Sequence, residues 1–350
     1  MDYPHIPQHI GNEALFEHFN LTQDERYSLP RWRKDQNMLG YVVLLKTYSF
    51  LGFPPRKRRD VPQAVVSWIS QQMDVDPAEY QGYRWKSRLW DIHLAAVRDH
   101  TGFRPGNEKD FKQLGRWLIE KASGHPTRSK MYTAAIHRCR SLKIELPSEK
   151  ELQRLVGSSW RQYLSKSSKT IADRLGNAIR KKMDLCLDVD PQGGRSYNWM
   201  KGKPGKMGMK TLNREIRRLR FVNGFEIQAD THLADVPKEV IKLLRERAVP
   251  EDAYQMKRHR PAYHRYALMA ALLHFRRMEL TDNITDIFLT LIRRIQKKAD
   301  KKLEKDLIGS IRTVYKKREI LYRIAKASVQ NPRNTVESAL FPVVGEEVLY

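Results

Sequence analysis

Cysteine is almost missing from this chain: Cys139 and Cys186 are its two thiols, with no C-x-x-C spacing. That excludes a disulfide-stapled scaffold or a zinc ribbon, and the apolar helical stripe around each thiol marks both as buried and reduced. Long hydrophobic runs are missing as well. The longest, Leu39 to Phe53 (LGYVVLLKTYSFLGF), is broken by Lys46 and falls short of the ~20 residues that cross a bilayer, so it reads as a buried helix and no membrane partner is expected. The N-terminus, MDYPHIPQHI, lacks the charged flank and apolar stretch of a secretory signal, which points to the cytoplasm. No P-loop, G-x-G-x-x-G or H-E-x-x-H is present, and the histidines are scattered. Asp282 and Asp286, four residues apart, read as polar residues beside an apolar stripe. No catalytic residue, metal ligand or cofactor is therefore assigned.

Negative charge is also in short supply. Asp and Glu total 40 against 65 Lys and Arg, a formal net charge of +25. A folded chain carries such an excess mainly when its partner is a polyanion, because each cation laid on a phosphate releases condensed counterions. Nucleic acid is the first partner this composition points to.

The apolar residues that are present recur with a helical period, which predicts an all-α, multi-domain fold. Val65, Trp68, Ile69 and Met73 mark one helix after Asp60 and Pro62; Trp85, Leu89, Ile92 and Ala96 mark another, stopped by Gly102. Phe111, Leu114 and Leu118 precede the S-G-H-P punctuation at Ser123. Tyr132, Ala135, Ile136 and Cys139 follow it, behind a Thr127 cap. Ile171, Leu175 and Ala178 share a face, and the stretch from Asp188 to Met209 reads as a mobile loop. Ile284 to Ile295 form a broad stripe, continued by Leu307, Ile311, Val314 and Leu321 on a long basic helix whose stripe is buried in the chain or paired with a second copy. The expected division is 1–145, 146–230 with its basic loop 188–210, and 231–350, all helical.

Three basic segments stand out. Residues 107–140 have the form of a helix-turn-helix, which would offer Arg128, Ser129, Lys130 and Arg138 to a major groove; the plain alternative is an αα-hairpin with a solvated basic face. Lys201 to Arg220 (KGKPGKMGMKTLNREIRRLR) joins a Gly/Lys loop to a helix. It puts Lys201, Lys203, Lys206, Lys210, Arg214, Arg217 and Arg218 at the disposal of a phosphate backbone, with Leu212, Ile216 and Leu219 as the core side. Arg56, Lys57, Arg58 and Arg59 form a compact basic turn that suits phosphate contact or simple solvation.

Five segments carry a family resemblance: LTQDERY from Leu21, NMLGYVVLLKTYSFLGFPP from Asn37, DVPQAVVSWISQQMDV from Asp60, YRWKSRLWDIHLAAVRDHTGFRP from Tyr83 and RYALMAALLHFRRMELTDNITDIFLTLI from Arg265. In this order they closely resemble the N-terminal region of Tn-three family transposases, enzymes of replicative transposition in bacteria. The resemblance implies helical domains that bind the transposon's terminal inverted repeats as double-stranded DNA, a homodimer, and a bacterial, nucleoid-associated location. Strand transfer would belong to a later RNase H-like domain with a magnesium-binding acidic triad, which this chain is expected to lack, so the chain itself is expected not to be an enzyme. A truncated transposase acting as a transposition repressor and a basic helical RNA-binding protein are the alternative readings.

Overall fold

The computed structural model describes residues 3–28, 34–188 and 196–345. Among them there are seventeen α-helices and no strand, the one extended pairing being an isolated bridge between Arg104 and Ile144. In chain order the helices begin with α1 Asn12–Phe19, α2 Gln23–Ser28, α3 Asp35–Leu51, α4 Gln63–Met73, α5 Arg88–Thr101, α6 Glu108–Glu120, α7 Arg128–Ser141, α8 Glu149–Arg174 and α9 Gly176–Leu187. They continue with α10 Ser196–Met200, α11 Met209–Asn223, α12 Ala229–His232, α13 Lys238–Ala248, α14 Ala253–Arg258, α15 Tyr263–Gln330, α16 Val336–Ala339 and α17 Phe341–Val344. Two compact units divide the chain: Met1–Val189 with Ile227–Leu272, and Asp190–Glu226 with Leu273–Tyr350.

In the first unit α3 is apolar on every side, so it is stable only as a central helix. Leu39 to Tyr48 are all buried, with α1, α4 and α5 packed around them. Lys46 is tolerated there because its ammonium sits 3.1 Å from the Glu25 carboxylate. The expected face of the helix around Trp85 is corrected: α5 starts at Arg88, and the buried side chains are His93, Leu94 and Val97, while Ile92 is 49% exposed. A hydrogen bond to the Tyr83 hydroxyl (2.9 Å) lets the polar imidazole of His93 take the core position that periodicity assigned to an aliphatic residue.

Helices α6, α7 and α8 form a three-helix group, each with a capped N-terminus. The Asn107 and Asp110 side chains exchange capping bonds with each other's backbone N–H, and Ser148 and Glu151 do the same for α8. The expected stripe through Ile171, Leu175 and Ala178 breaks between the last two. Gly176 takes a φ of 66°, which only glycine adopts without strain, so α9 leaves in a new direction and Ala178 is exposed. Cys139 and Cys186 are free and buried; burial raises their thiols to about 11 and about 12, so both are inert.

The second unit holds α10, α11 and α15 from Leu273 on. Phe221 meets Trp199 and Phe225 edge to face. Beyond Arg294 the long helix α15 exposes apolar side chains: Leu307 and Ile311 are each 53% exposed, and Val314 and Leu321 each 65%. No helix among the described residues is long and apolar enough to cross a membrane.

Candidate nucleic-acid interface

Helices α6 and α7 follow each other across a short connection, as both the helix-turn-helix and the αα-hairpin readings require. A short turn, Ala122–Gly124, separates them, and the Thr127 hydroxyl accepts the Lys130 N–H at 3.2 Å. Met131, Tyr132, Ala135, Ile136 and Cys139 are buried, which leaves Arg128, Ser129 and Lys130 exposed in the first turn and His137 exposed beyond them. Arg138 is half-buried, its guanidinium 5.2 Å from the Trp117 ring centroid on α6.

Helix α8 adds cations that composition alone did not single out. Lys150, Arg154, Gly157 and Arg161 recur at helical spacing on one face, opposite the buried Leu152, Val156 and Ser159. With Gln153, Trp160 and Arg128 they line an open groove of about 470 Å³ that has no acidic residue in its wall. Arg128 crosses α8 at Gly157, where a Cβ would stand 3.3 Å from its guanidinium. The i, i+4, i+7, i+11 spacing was the sequence signal for this face.

Arg56, Lys57, Arg58 and Arg59 are all exposed on a tight turn. The Asp60 carboxylate accepts the backbone N–H of Arg56 and Lys57 at 3.2 and 2.9 Å, and Arg58 donates to the Tyr83 carbonyl at 2.6 Å. The Glu151 carboxyl is held below the usual range first by hydrogen bonds from the Ser148 hydroxyl and N–H, then by the charges of Arg154 and Arg56. Arg56 and Arg59 also rim an apolar cavity of about 690 Å³ over Tyr3, Ile6, Leu51, Phe53 and Pro55.

In the second unit the loop and α11 differ from expectation in a specific way. Lys203, Lys206, Lys210 and Arg217 are exposed and Arg214 is partly so, while Lys201 sits with its ammonium 4.8 Å from the Tyr197 ring. Arg218 is corrected: it is 6% exposed, and its guanidinium donates to Glu215 at 2.7 Å and to the Gly202 carbonyl at 2.8 Å. The buried side of α11 is Thr211, Leu212, Glu215, Arg218 and Val222, so Ile216 and Leu219 are only half-covered. An internal Glu–Arg pair turned the helix away from its aliphatic stripe. Within the expected loop the Gly202 and Met207 carbonyls accept hydrogen bonds from Arg276 and Arg294, and 189–195 lie outside the described residues. Asp282 and Asp286 are exposed on α15, and no group of three or more potential metal ligands occurs among the described residues.

Comparison with known proteins adds sequence relatives. Residues 1–159 match a family described as a domain of unknown function, DUF4158. The transposase for transposon Tn1546 of Enterococcus faecium is 23% identical over 218 residues, 61% of this chain and 22% of the relative. The transposase for transposon Tn501 of Pseudomonas aeruginosa is 21% identical over 288 residues, 81% of this chain and 28% of the relative. That for transposon Tn21 of Escherichia coli is 20% identical over 331 residues, 91% and 32% of the two chains. The chain thus spans at most about a third of the length of these curated relatives. Similarity to these transposases, at 20–23% identity, thus runs along most of the chain and supports its resemblance to the N-terminal region of Tn-three family transposases.

Proposed function

We propose that this chain recognises duplex DNA at the terminal inverted repeats of a transposon and performs no strand chemistry itself. The observation that carries this reading is the groove between α7 and α8, where Arg128, Lys150, Arg154 and Arg161 converge without an acidic residue in the lining. Cations gathered this way repel one another until a polyanion lies between them. The exposed first turn of α7 has the side chains that a recognition helix presents to base edges, and α8 with the Arg56–Arg59 turn supplies backbone contacts. Lys203, Lys206, Lys210, Arg214 and Arg217 add a second set of phosphate contacts. Two sets on one chain raise overall affinity without either binding tightly. No cofactor is needed for such binding.

Fluorescence anisotropy against a transposon-end duplex and a scrambled duplex across a salt series tests this. A preference for the transposon end that persists at moderate salt is expected; equal affinities that collapse together with salt would overturn end recognition. The reading includes association of two copies through α15, supported by the exposed Leu307, Ile311, Val314 and Leu321. Light scattering should report a dimer mass, reduced to a monomer by Leu307→Lys with Ile311→Lys.

A further inference from the structure

A lysine- and glycine-rich loop usually wanders, because its like charges repel and its glycines hold no preferred conformation. Here the loop between α10 and α11 is gripped by its carbonyl oxygens. Arg276 on α15 donates from Nε to the Met200 carbonyl (2.8 Å) and from Nη2 to that of Gly202 (2.7 Å). Arg218 donates to the Gly202 and Lys203 carbonyls at 2.8 and 3.4 Å, the Thr211 hydroxyl to that of Lys206 at 2.6 Å, and Arg294 to that of Met207 at 2.8 Å. Five carbonyls of one short loop thus point inward to fixed donors, three of the six bonds coming from arginines on α15, two from Arg218 and one from Thr211. A fully buried carboxylate, Glu215, holds the arginine pair: Arg218 at 2.7 Å and Arg276 at 3.8 Å. Glu279 takes the third nitrogen of Arg276 at 3.1 Å. Gly202 is required for this grip, since a Cβ there would stand 2.2 Å from the Arg218 guanidinium.

With its carbonyls turned inward, the loop leaves Lys203 and Lys206 exposed. We propose that Arg276 and Arg294 are positioning residues for phosphate contact: together with Arg218 they clamp residues 200–207 so that the lysines stand outward in a set arrangement before any polyanion arrives. The proposal rests on the DNA-binding reading above. It adds that part of the affinity is preorganisation supplied by α15, a helix that need not touch the DNA to matter.

The test uses the full chain with two readouts. The first is trypsin cleavage after Lys206, followed by mass spectrometry without DNA. Arg294→Ala, an exposed position where folding should survive, is expected to speed that cleavage several-fold, and Arg294→Lys to restore part of the protection. Arg276→Gln, checked for folding by circular dichroism, should do the same after Lys201. Unchanged cleavage in Arg294→Ala would overturn the clamp. The second readout is the slope of log affinity for duplex DNA against log salt. Loss of one phosphate contact lowers the slope by ~0.9. Arg294→Ala should lower it by roughly 1.8 or more, because the lysines it positions are lost along with any contact of its own. A fall of only ~0.9 would make Arg294 a simple contact and overturn the positioning role. If cleavage rises as expected but Lys203→Ala with Lys206→Ala leaves affinity and slope untouched, the clamp stands and the DNA reading of this loop fails.

Discussion

His93 is fully buried beside Tyr83, its ring stacked on the phenol at 5.5 Å and its Nδ1 hydrogen-bonded to the hydroxyl. Burial pushes its pKa down to about 4, below the ~6.5 of an unfolded chain. The unfolded state therefore binds more protons in this window, so the stabilisation is complete above pH ~6.5 and is lost as pH falls toward 4. Urea midpoints should drop between pH 7 and 4.5, and His93→Phe should flatten that drop; the slope that remains belongs partly to His264 and His274, whose pKa values burial also lowers. Arg218 makes the opposite point about charge. Removing it takes from the fully buried Glu215 its hydrogen-bonded partner at 2.7 Å and leaves Arg276 at 3.8 Å, and breaking a buried pair typically costs about 3–5 kcal/mol. Arg218→Ala should therefore lower the melting temperature sharply, where Arg217→Ala at its exposed neighbour leaves it unchanged.

At the scale of elements, α8 carries two tasks on two faces. Leu152, Val156 and Ser159 bury one face, while Lys150, Arg154 and Arg161 build the groove wall on the other. Because Arg154 and Arg161 are exposed, Arg154→Glu with Arg161→Glu should leave the melt intact and weaken binding to every duplex alike, as backbone contacts do. Arg128→Ala or Lys130→Ala should in addition shrink the preference for the transposon end, since the first turn of α7 has the reach for base edges. An anisotropy titration of each variant against both duplexes separates the two effects. Losses equal on both duplexes for all three variants would deny α7 a reading role.

For the whole molecule the governing quantity is the net charge of +25. If the two basic sets neutralise ~6–10 phosphates between them, the log–log salt slope should lie near −5 to −9. Truly nonspecific attraction to any polyanion would show the same slope with heparin and with scrambled DNA. The discriminating quantity is therefore the ratio of transposon-end to scrambled affinity at fixed salt, which the charge alone does not set.

By itself the sequence determined the helical class, the α6–turn–α7 pair, its Thr127 cap and the three basic segments. Periodicity, caps and charge runs are local properties, written within a few residues of one another. It also carried the transposase resemblance, through ordered motifs. Only tertiary structure decided which polar side chains belong inside. His93 and Arg218 replaced the apolar residues that local pattern assigned to their helix faces, because partners distant in sequence or across a turn, Tyr83 and the Gly202 carbonyl, satisfied their hydrogen bonds. Tertiary structure likewise brought Arg128 against α8 and fixed the basic loop from α15. Convergence of side chains separated by tens of residues is a product of packing, and no local period records it.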